Sequence, residues 1–338
     1  MKIQLSTERL ILRAWCEDDA ACLYQYASDP DVGPAAGWPV HTSVENSRQI
    51  IKDVLSAPET YAVCLKEDNK PIGSVGLKTG DNTDMTDRAD ECELGYWIGK
   101  PFWGQGLIPE ASKELLRHAF EDLGMRAVWC GYYDGNTKSR RVQEKLGFQY
   151  HHTTEGLEVT LLNEIRTGHT MLMTKQQWEE INKTIIDYIS ENLCGDMKQT
   201  ALDFANYLQN SSVEFIKDNG YWKEKIYYLC KFKEEYVCFF AIKDPDEPEN
   251  DWTIWSEDSN AYKDATADEC VKNAAWKHVD HCGNCGSCGG GKTKIIFGKV
   301  FDDVCGCTFR VDNAIQSDLP FLKKMIELRI DEITGKTI

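Results

Sequence analysis

A strand, a glycine-rich turn and an amphipathic helix follow one another between residues 91 and 124, and this order constrains the fold more than any other stretch. The run ECELGYWIG is typical of a buried strand, whereas IPEASKELLRHAFEDLG repeats apolar residues at helical spacing and stops at Gly124. Gly104 and Gly106 let the chain bend tightly between the two. Because the first amides of a helix have no partner within it, the turn is a candidate anion site. The buried face of the helix is predicted to contain Ala111, Leu115, Ala119 and Leu123.

The remaining segments predict two domains of different construction. Up to about Met173 short strands alternate with helices, which favours a mixed α/β domain, and strands grouped between helices in the second half favour an α+β domain. A chain of 338 residues is expected to form about two domains of roughly 150 residues each. The stretch KQQWEEINKTIIDYISENL has neither Pro nor Gly and is predicted to be one helix that contains the boundary. The predicted domains are therefore residues 1–175 and 176–338.

The net charge of −17 argues against two classes of partner. Nucleic acids and anionic membranes are bound through basic surfaces, so neither is predicted as a partner. No window approaches the roughly 18 apolar residues of a membrane span, and the start MKIQLSTERLILRAW has no apolar core of a signal peptide. These features predict a cytoplasmic protein whose 14 cysteines are mostly reduced.

Three segments, in this order, resemble the GNAT acyltransferases. They are TERLILRAW, ELGYWIGKPFWGQGLIPEA and NTKSRRVQEKLGF, the last running from Asn136 to Phe148. Together they look like the branch of ribosomal-protein N-terminal acetyltransferases, the RimJ/RimL-like enzymes. The resemblance implies a mixed α/β fold with a central twisted sheet and helices on both faces. It also implies acetyl-CoA as cosubstrate and an amine as acceptor.

The same resemblance implies which residues contact acetyl-CoA. In that family a splayed central strand holds the pantetheine through backbone groups, loop amides bind the pyrophosphate, and a later helix contacts the other side of the coenzyme. Loop amides and a helix dipole bind phosphate without net positive charge. One departure is Ile108, where the family pattern has Gly or Ala. Carried over position by position, the coenzyme contacts are Trp97, Ile98, Gly104, Gln105, Gly106, Leu107, Ile108, Asn136 and Ser139.

The implied reaction is direct attack of a primary amine on the thioester, which needs a base because an ammonium ion is not a nucleophile. By resemblance the base is Glu93, and His41 in the segment GWPVH is a candidate second base or a residue that orients the acceptor. Many family members have a tyrosine acid where this chain has Gln143. Tyr132 or Tyr133 is an alternative proton donor, and a thiolate can also leave unassisted, since thiols have a pKa near 8.5.

The segment CGNCGSCGGGKTK, from Cys282 to Lys294, permits two interpretations. Its GKT matches a phosphate loop, but such a loop needs a helix after Lys-Thr, and KIIFGKV alternates as a strand does. The other interpretation is a metal site, because zinc takes four N or S ligands and two cysteine pairs about twenty residues apart often supply them. An iron–sulfur site and a loop without metal stay open. The zinc hypothesis assigns Cys282, Cys285, Cys288 and Cys305 as ligands.

Functions from different classes follow from these features. The first is an N-acetyltransferase that transfers the acetyl group of acetyl-CoA to a protein N-terminus or a small amine, with an accessory second domain. The alternative is a catalytically degenerate acyl-CoA-binding sensor fused to a ligand-binding or partner-binding domain, which Gln143 keeps open. A third hypothesis makes the cysteine segment a redox or metal sensor that controls the enzyme.

Overall fold

The first unit is built on an eight-stranded sheet. The computed structural model describes residues 3–218, 226–283 and 289–336, and the chain divides into the units Met1–Asn182 and Lys183–Ile338. The strands of the first unit are β1 (Leu5–Ser6), β2 (Leu10–Arg13), β3 (Thr60–Leu65), β4 (Pro71–Lys78), β5 (Glu91–Ile98), β6 (Ala127–Tyr133), β7 (Gln149–Val159) and β8 (Glu164–Thr174). They lie in the order β1-β2-β3-β4-β5-β6-β8-β7. Each pair is antiparallel except β5 and β6, which are parallel.

Helices cover both faces of this sheet. They are α1 (Ala20–Ala27), α2 (Val44–Ile50), α3 (Leu107–Arg117), α4 (Thr137–Leu146) and α5 (Lys175–Ile181). Successive residues of a strand point to opposite faces, and β3 separates two cores in this way. Val63 packs in the cluster that contains the buried side of α3, whereas Ala62 and Cys64 pack with α1. The predicted central sheet with helices on both faces is confirmed.

The second unit contains a second sheet and four helices within the described residues. Its strands are β9 (Glu214–Asp218), β10 (Ile226–Phe232), β11 (Glu235–Ile242), β12 (Trp252–Ser256), β13 (Val279–His281), β14 (Lys292–Ile296) and β15 (Lys299–Asp312). They lie in the order β13-β15-β12-β11-β10-β9, and β14 pairs with β15. The helices are α6 (Ile185–Asn192), α7 (Gly195–Asn210), α8 (Glu269–Lys277) and α9 (Leu319–Thr334). The antiparallel pairing and the separate helices agree with the predicted α+β class.

The single helix predicted for residues 175–193 is wrong. The stretch forms two helices, α5 and α6, and the two units meet in the sequence between them, at Asn182 and Lys183. Thr184 begins a new helix because its hydroxyl accepts a hydrogen bond from the Asp187 amide and the Asp187 carboxylate accepts one from the Thr184 amide. A start signal inside the stretch therefore outweighs the helical propensity of the residues around it.

Two further local predictions also need correction. Leu123 is exposed, because the end of α3 widens to π-type spacing over His118–Asp122 and rotates later residues off the buried face. The run IIFGKV is not one strand, since Phe297 and Gly298 adopt left-handed conformations that turn β14 into β15. Both departures come from local backbone geometry that a periodic pattern does not encode.

Candidate functional site

Strands β5 and β6 separate halfway along their length. Parallel pairing joins Glu91 to Ala127 and ends where Glu93 lies opposite Trp129, whereas β5 continues to Ile98 and β6 to Tyr133. On its other side β5 stays paired with β4 as far as Ile98. The end of β5 therefore presents backbone N–H and C=O groups toward the gap, where an extended ligand can add to the strand edge.

A cleft of about 1200 Å³ occupies this gap and opens toward the first turns of α3 and α4. Its walls come from β5, β6, the loop before α3, α4, and the β7–β8 hairpin. All of these elements belong to the first unit. The volume is large enough for a ligand of several hundred daltons.

The glycine-rich loop supplies unpaired amides at one end of the cleft. Gly104 and Gly106 have φ angles of 77° and 75°, a region that favours glycine, and Gly106 is the N-cap of α3 without any side-chain cap. Glu110 and Arg9 fix the loop from outside: Arg9 Nε donates to the Glu110 carboxylate at 2.6 Å and Arg9 Nη1 donates to the Gln105 carbonyl at 3.1 Å. The first-turn amides of α3 are thus held in place, and no side chain caps them, so they can bind an anion.

Most of the predicted coenzyme contacts line this cleft. Gln105 is the exception: its side chain donates to the Pro101 carbonyl at 3.0 Å and its carbonyl faces Arg9, so it lies outside the cleft lining. These contacts do not involve its backbone amide, so the amide stays a predicted phosphate contact. The predicted residues that do line the cleft are Trp97, Ile98, Gly104, Gly106, Leu107, Ile108, Asn136 and Ser139.

Glu93 lies at the point where β5 and β6 part, and its side chain is largely buried at the cleft. Lys78 Nζ donates to one carboxylate oxygen at 2.6 Å, and Thr83 Oγ1 donates to the other at 2.7 Å. Each carboxylate oxygen has two lone pairs, so one per oxygen stays available for a water or an amine. The position and remaining lone pairs suit a proton acceptor.

Two hydroxyl groups and an amide form a chain beside the cleft. The Gln143 side-chain amide donates to the Gly131 carbonyl at 2.9 Å, to Ser139 Oγ at 3.2 Å and to the Tyr96 hydroxyl at 3.3 Å. Tyr96 and Ser139 are 2.9 Å apart, and burial raises the pKa of Tyr96, which keeps it protonated. The Gln143 amide shares two hydrogens among these three acceptors, and the Tyr96 hydroxyl can donate to the Ser139 carbonyl at 3.2 Å. The Ser139 O–H is then left to donate into the cleft, which Ser139 and Tyr96 both line.

His41 lies apart from the cleft lining. Its Nδ1 is 2.8 Å from Ser47 Oγ, its ring packs 5.4 Å from the Trp38 ring, and burial lowers its pKa. The imidazole is therefore neutral and held between α2 and the segment before it. The structure does not bring His41 to the groups around Glu93, and a packing role fits its contacts better than a second base.

Several cleft residues were missed by the sequence analysis. His169 lines the cleft with Nδ1 2.8 Å from Thr153 Oγ1 and its ring centre 4.8 Å from that of Tyr132, itself an earlier candidate donor. Met85, from the acidic loop after β4, lies over Gly131. These residues come from segments far apart in the sequence, so only the strand register brings them together.

The cysteine segment is only partly within the described residues. His281 in β13 lies opposite Val304 in the antiparallel strand β15, so Cys282 lies opposite Asp303, and Cys305 is two residues further along β15. Within residues 3–218, 226–283 and 289–336, no group of three or more His, Cys, Asp or Glu is arranged to hold a metal ion. The other two predicted ligands, Cys285 and Cys288, lie outside the described residues.

The phosphate-loop interpretation of the same segment fails. Lys292 and Thr293 begin strand β14, where a phosphate loop needs the first turn of a helix. The Lys-Thr pair is therefore part of a strand rather than of a helix. The anion site suggested by loop geometry is thus the one before α3.

The fold and the cleft define an acyltransferase with a coenzyme-sized cleft between diverging strands. The family model described as “Acetyltransferase (GNAT) domain” matches residues 9–149, within the first unit. The chain is 31% identical over 151 residues to “Uncharacterized N-acetyltransferase p20” of Bacillus licheniformis, covering 43% of this chain and 82% of the relative. Through its first unit, the chain belongs to the GNAT acetyltransferase family, and it is an acetyltransferase.

Other relatives extend this comparison. “Putative ribosomal N-acetyltransferase YdaF” of Bacillus subtilis is 35% identical over 105 residues, which are 31% of this chain and 55% of the relative. A solved structure of a GNAT-family acetyltransferase from Bacillus anthracis is 19% identical, with a TM-score of 0.46, and covers 52% of this chain and 99% of that chain. Among the described residues, no helix combines the length and apolar character needed to cross a membrane.

Proposed function

We propose that the first unit transfers the acetyl group of acetyl-CoA to a primary amine by direct attack of the amine on the thioester. The observation that carries this proposal is the separation of β5 from β6 beside the glycine-rich loop that begins α3. The open edge of β5 can hydrogen-bond an extended pantetheine arm, and the loop amides can bind its pyrophosphate. The thioester would then lie near Glu93, where the strands part.

Charge on α4 supports a phosphate-rich ligand. Lys138, Arg141 and Lys145 line the cleft, and their spacing of three and four residues places them along one side of the helix. Lys138 Nζ lies 3.4 Å from the centre of the Trp103 ring, which holds this cation beside the loop. In a chain with a net charge of −17, this local group of cations favours the phosphates of coenzyme A over other ligands of similar size.

Glu93 is the proposed base. It would take a proton from the attacking ammonium, directly or through one water, so that the nitrogen lone pair can attack the thioester carbonyl. Attack forms the C–N bond and places a transient negative charge on the carbonyl oxygen, and collapse of this intermediate breaks the C–S bond. The nitrogen gives up its second proton in that step, and this proton replaces the one that the departing thiolate takes from the hydroxyl chain. A backbone N–H at the open edge of β5, beside the thioester, would stabilise that charge.

The departing thiolate needs a proton, and the hydroxyl chain can supply it. Ser139 is the proposed donor, because its oxygen accepts from Gln143 and is 2.9 Å from the Tyr96 hydroxyl. Gln143 would then organise the donor in place of the tyrosine acid that many family members have at this position. This arrangement supports turnover rather than the degenerate sensor that Gln143 first suggested.

The proposed acceptor is a protein N-terminus or a small amine. Asp84, Asp134 and Glu158 line the cleft in addition to Glu93, and this acidic lining attracts a cationic group. A protein N-terminus is included because one relative is named as a ribosomal N-acetyltransferase. A small amine presents the same ammonium group to the same lining.

The direct test is release of coenzyme A from acetyl-CoA in the presence of an amine panel. The panel should contain short peptides with free N-termini, a diamine and a monoamine, with thiol release and acetylated product both measured. We expect amine-dependent release and a matching amide product. Tight acetyl-CoA binding without release for any amine would instead favour the sensor hypothesis, and absence of binding would refute the coenzyme site itself.

For the second unit, the zinc site remains a proposal that rests on the cysteine spacing, with Cys282 and Cys305 in diagonal positions of two adjacent strands. Elemental analysis of untagged protein is expected to find about one zinc per chain, reduced in a Cys282→Ser, Cys305→Ser double variant. Equal metal content in both proteins would refute these ligands.

A further inference from the structure

The loop between β4 and β5 is fastened to the buried side of β5 by two carboxylates. Thr83 Oγ1 donates to Glu93 at 2.7 Å, and Thr86 Oγ1 donates to Glu91 at 2.8 Å. Glu91 and Glu93 are both largely buried and point to the same face of the strand, being two residues apart. Met85 lies between the two threonine anchors, and its amide donates to Thr83 Oγ1 at 3.1 Å. Its side chain is therefore carried by a fixed loop rather than a free one.

The Met85 methyl group lies directly over the backbone of Gly131. A Cβ atom added to Gly131 would be 2.8 Å from Met85 Cε, closer than real Cβ contacts allow. Gly131 is in the middle of β6, where glycine is unfavourable unless another group approaches the strand closely. Met85 Cε, the end of a flexible side chain, is the nearest such group, and the His169 carbonyl oxygen at 3.4 Å is the next.

This contact lies at the end of the cleft where β5 and β6 come together, which we call the narrow end. The pairing of β5 with β6 ends at Glu93 and Trp129, and Gly131 is only two residues beyond that point. On the face toward α3, Leu94 and Cys130 form the wall and are each 1% exposed within the core. On the opposite face the wall is Met85, and all three side chains line the cleft.

We propose that Met85 sets the length of the acyl chain that the cleft accepts. This inference rests on the proposed function, because a pantetheine along the open edge of β5 directs its acyl group toward the narrow end. An acetyl group fits before Met85, whereas a longer chain meets it. Leu94 and Cys130 cannot move without disturbing the core. Met85 is therefore the residue that determines how long an acyl chain can be. Met85 is also the easiest of the three to replace without affecting the fold, because its side chain is unbranched and flexible and lies on a loop.

The test compares binding of acetyl-CoA and butyryl-CoA to the full-length protein by calorimetry, which needs no knowledge of the amine. One methylene too many in a fitted apolar pocket costs roughly tenfold or more in discrimination. We therefore expect wild-type protein to bind butyryl-CoA at least about tenfold more weakly than acetyl-CoA. The Met85→Ala variant should bring the two affinities to within a few fold, mainly by strengthening butyryl-CoA binding.

Two controls separate the wall from general effects of the substitution. Met85→Leu keeps the bulk and should retain the preference for acetyl-CoA. Met125→Ala shortens a partly buried methionine outside the cleft lining and should also retain it. Equal affinities in wild type, or an unchanged preference in a folded Met85→Ala protein, would overturn the proposal. If no acyl-CoA binds even to wild type, the coenzyme site itself is wrong, which is a separate result.

Discussion

At the scale of single residues, Glu93 and Glu91 form a matched pair for testing the base. Both are buried carboxylates on the same face of β5, but Glu93 lines the cleft whereas Glu91 accepts from Trp129 Nε1 at 2.6 Å behind it. Glu93→Gln keeps one oxygen for Lys78, and its NH2 group can donate to the Thr83 hydroxyl, but the amide cannot take a proton. We expect turnover to fall about 10²-fold to 10⁴-fold with acetyl-CoA affinity little changed.

The control for this prediction is Glu91→Gln, which should lower stability but leave turnover of the folded protein near that of wild type. Steady-state kinetics and calorimetry on both variants make the comparison. Equal losses of turnover in the two variants would mean that the loop anchored on β5, rather than proton transfer, is what Glu93 provides. Unchanged turnover in Glu93→Gln would remove it as the base.

The burial of His41 should be measurable through the pH dependence of the free energy of unfolding. Burial lowers its pKa below the ordinary value of 6.5, so the unfolded chain binds a proton more readily than the folded one. The stabilising effect of the neutral ring is therefore complete above about pH 6.5 and lost as the pH falls below it. Urea unfolding at pH 7.5 and pH 5.5 should show a smaller drop for His41→Gln than for wild type.

His152→Gln is the matched control, because His152 is an exposed histidine of the same unit and should leave the pH dependence as in wild type. An identical drop in His41→Gln and wild type would show that another group titrates. Acetyl transfer by folded His41→Gln near neutral pH should be close to wild type, since the ring lies outside the cleft lining. A large loss of turnover would restore His41 as a functional residue.

Sequence alone predicted the residues whose role depends on local backbone. Gly104 and Gly106 were predicted because a strand, a turn and a helix follow one another directly, and both have left-handed φ angles in the structure. Asn136 was predicted through the resemblance to the GNAT acyltransferases, and in the structure it caps α4. Met85 was not recognised, because its role depends on a glycine 46 positions away that the sheet brings under it. The spacing of apolar residues along the sequence does not show which side chains contact a strand that is distant in the sequence.

At the scale of elements, the loop before α3 can be tested by comparing two glycines. Gly104 and Gly124 have φ angles of 77° and 69°, and a Cβ at either would meet no atom within 4 Å. An alanine at either position should therefore cost about 1–2 kcal/mol through backbone strain alone. Only Gly104 lies at the cleft, so Gly104→Ala should also weaken acetyl-CoA binding, whereas Gly124→Ala should not.

Chemical unfolding and calorimetry on the two glycine variants supply the measurements. Similar stability losses with a binding loss confined to Gly104→Ala are the expected pattern. If both variants bind acetyl-CoA as wild type does, the loop amides do not hold the phosphates. If both bind weakly, the effect is a general loss of structure rather than a local one.

Helices and strands with a clear apolar spacing were predicted well. An element whose end depends on a capping signal inside a helix-forming stretch was not. Strand β5 and helix α3 follow from apolar spacing, whereas the break between α5 and α6 follows from the capping pair Thr184 and Asp187 within a helix-forming stretch. The β7–β8 hairpin runs from Gln149 to Thr174. Most residues of β7 are exposed, so they carry little hydrophobic signal.

At the scale of the whole molecule, composition indicated two domains and an acidic surface. It did not indicate which domain contains the candidate active site. The family match covers residues 9–149, and the described residues that line the cleft lie between Asp31 and Thr170. Both ranges fall within the first unit, Met1–Asn182. The second unit has its own core, formed by residues such as Phe204, Phe240 and Phe321.

A fragment of residues 1–182 is therefore expected to fold and to bind acetyl-CoA with about the affinity of the full chain. The reason is that it retains every strand of the eight-stranded sheet, both cores of that sheet and the complete described lining of the cleft. Circular dichroism establishes folding, and calorimetry compares binding. The same fragment with Gly104→Ala should lose affinity to the extent that the full chain does. A folded fragment that fails to bind acetyl-CoA would mean that the second unit completes the coenzyme site, and that the cleft described between β5 and β6 is only part of it.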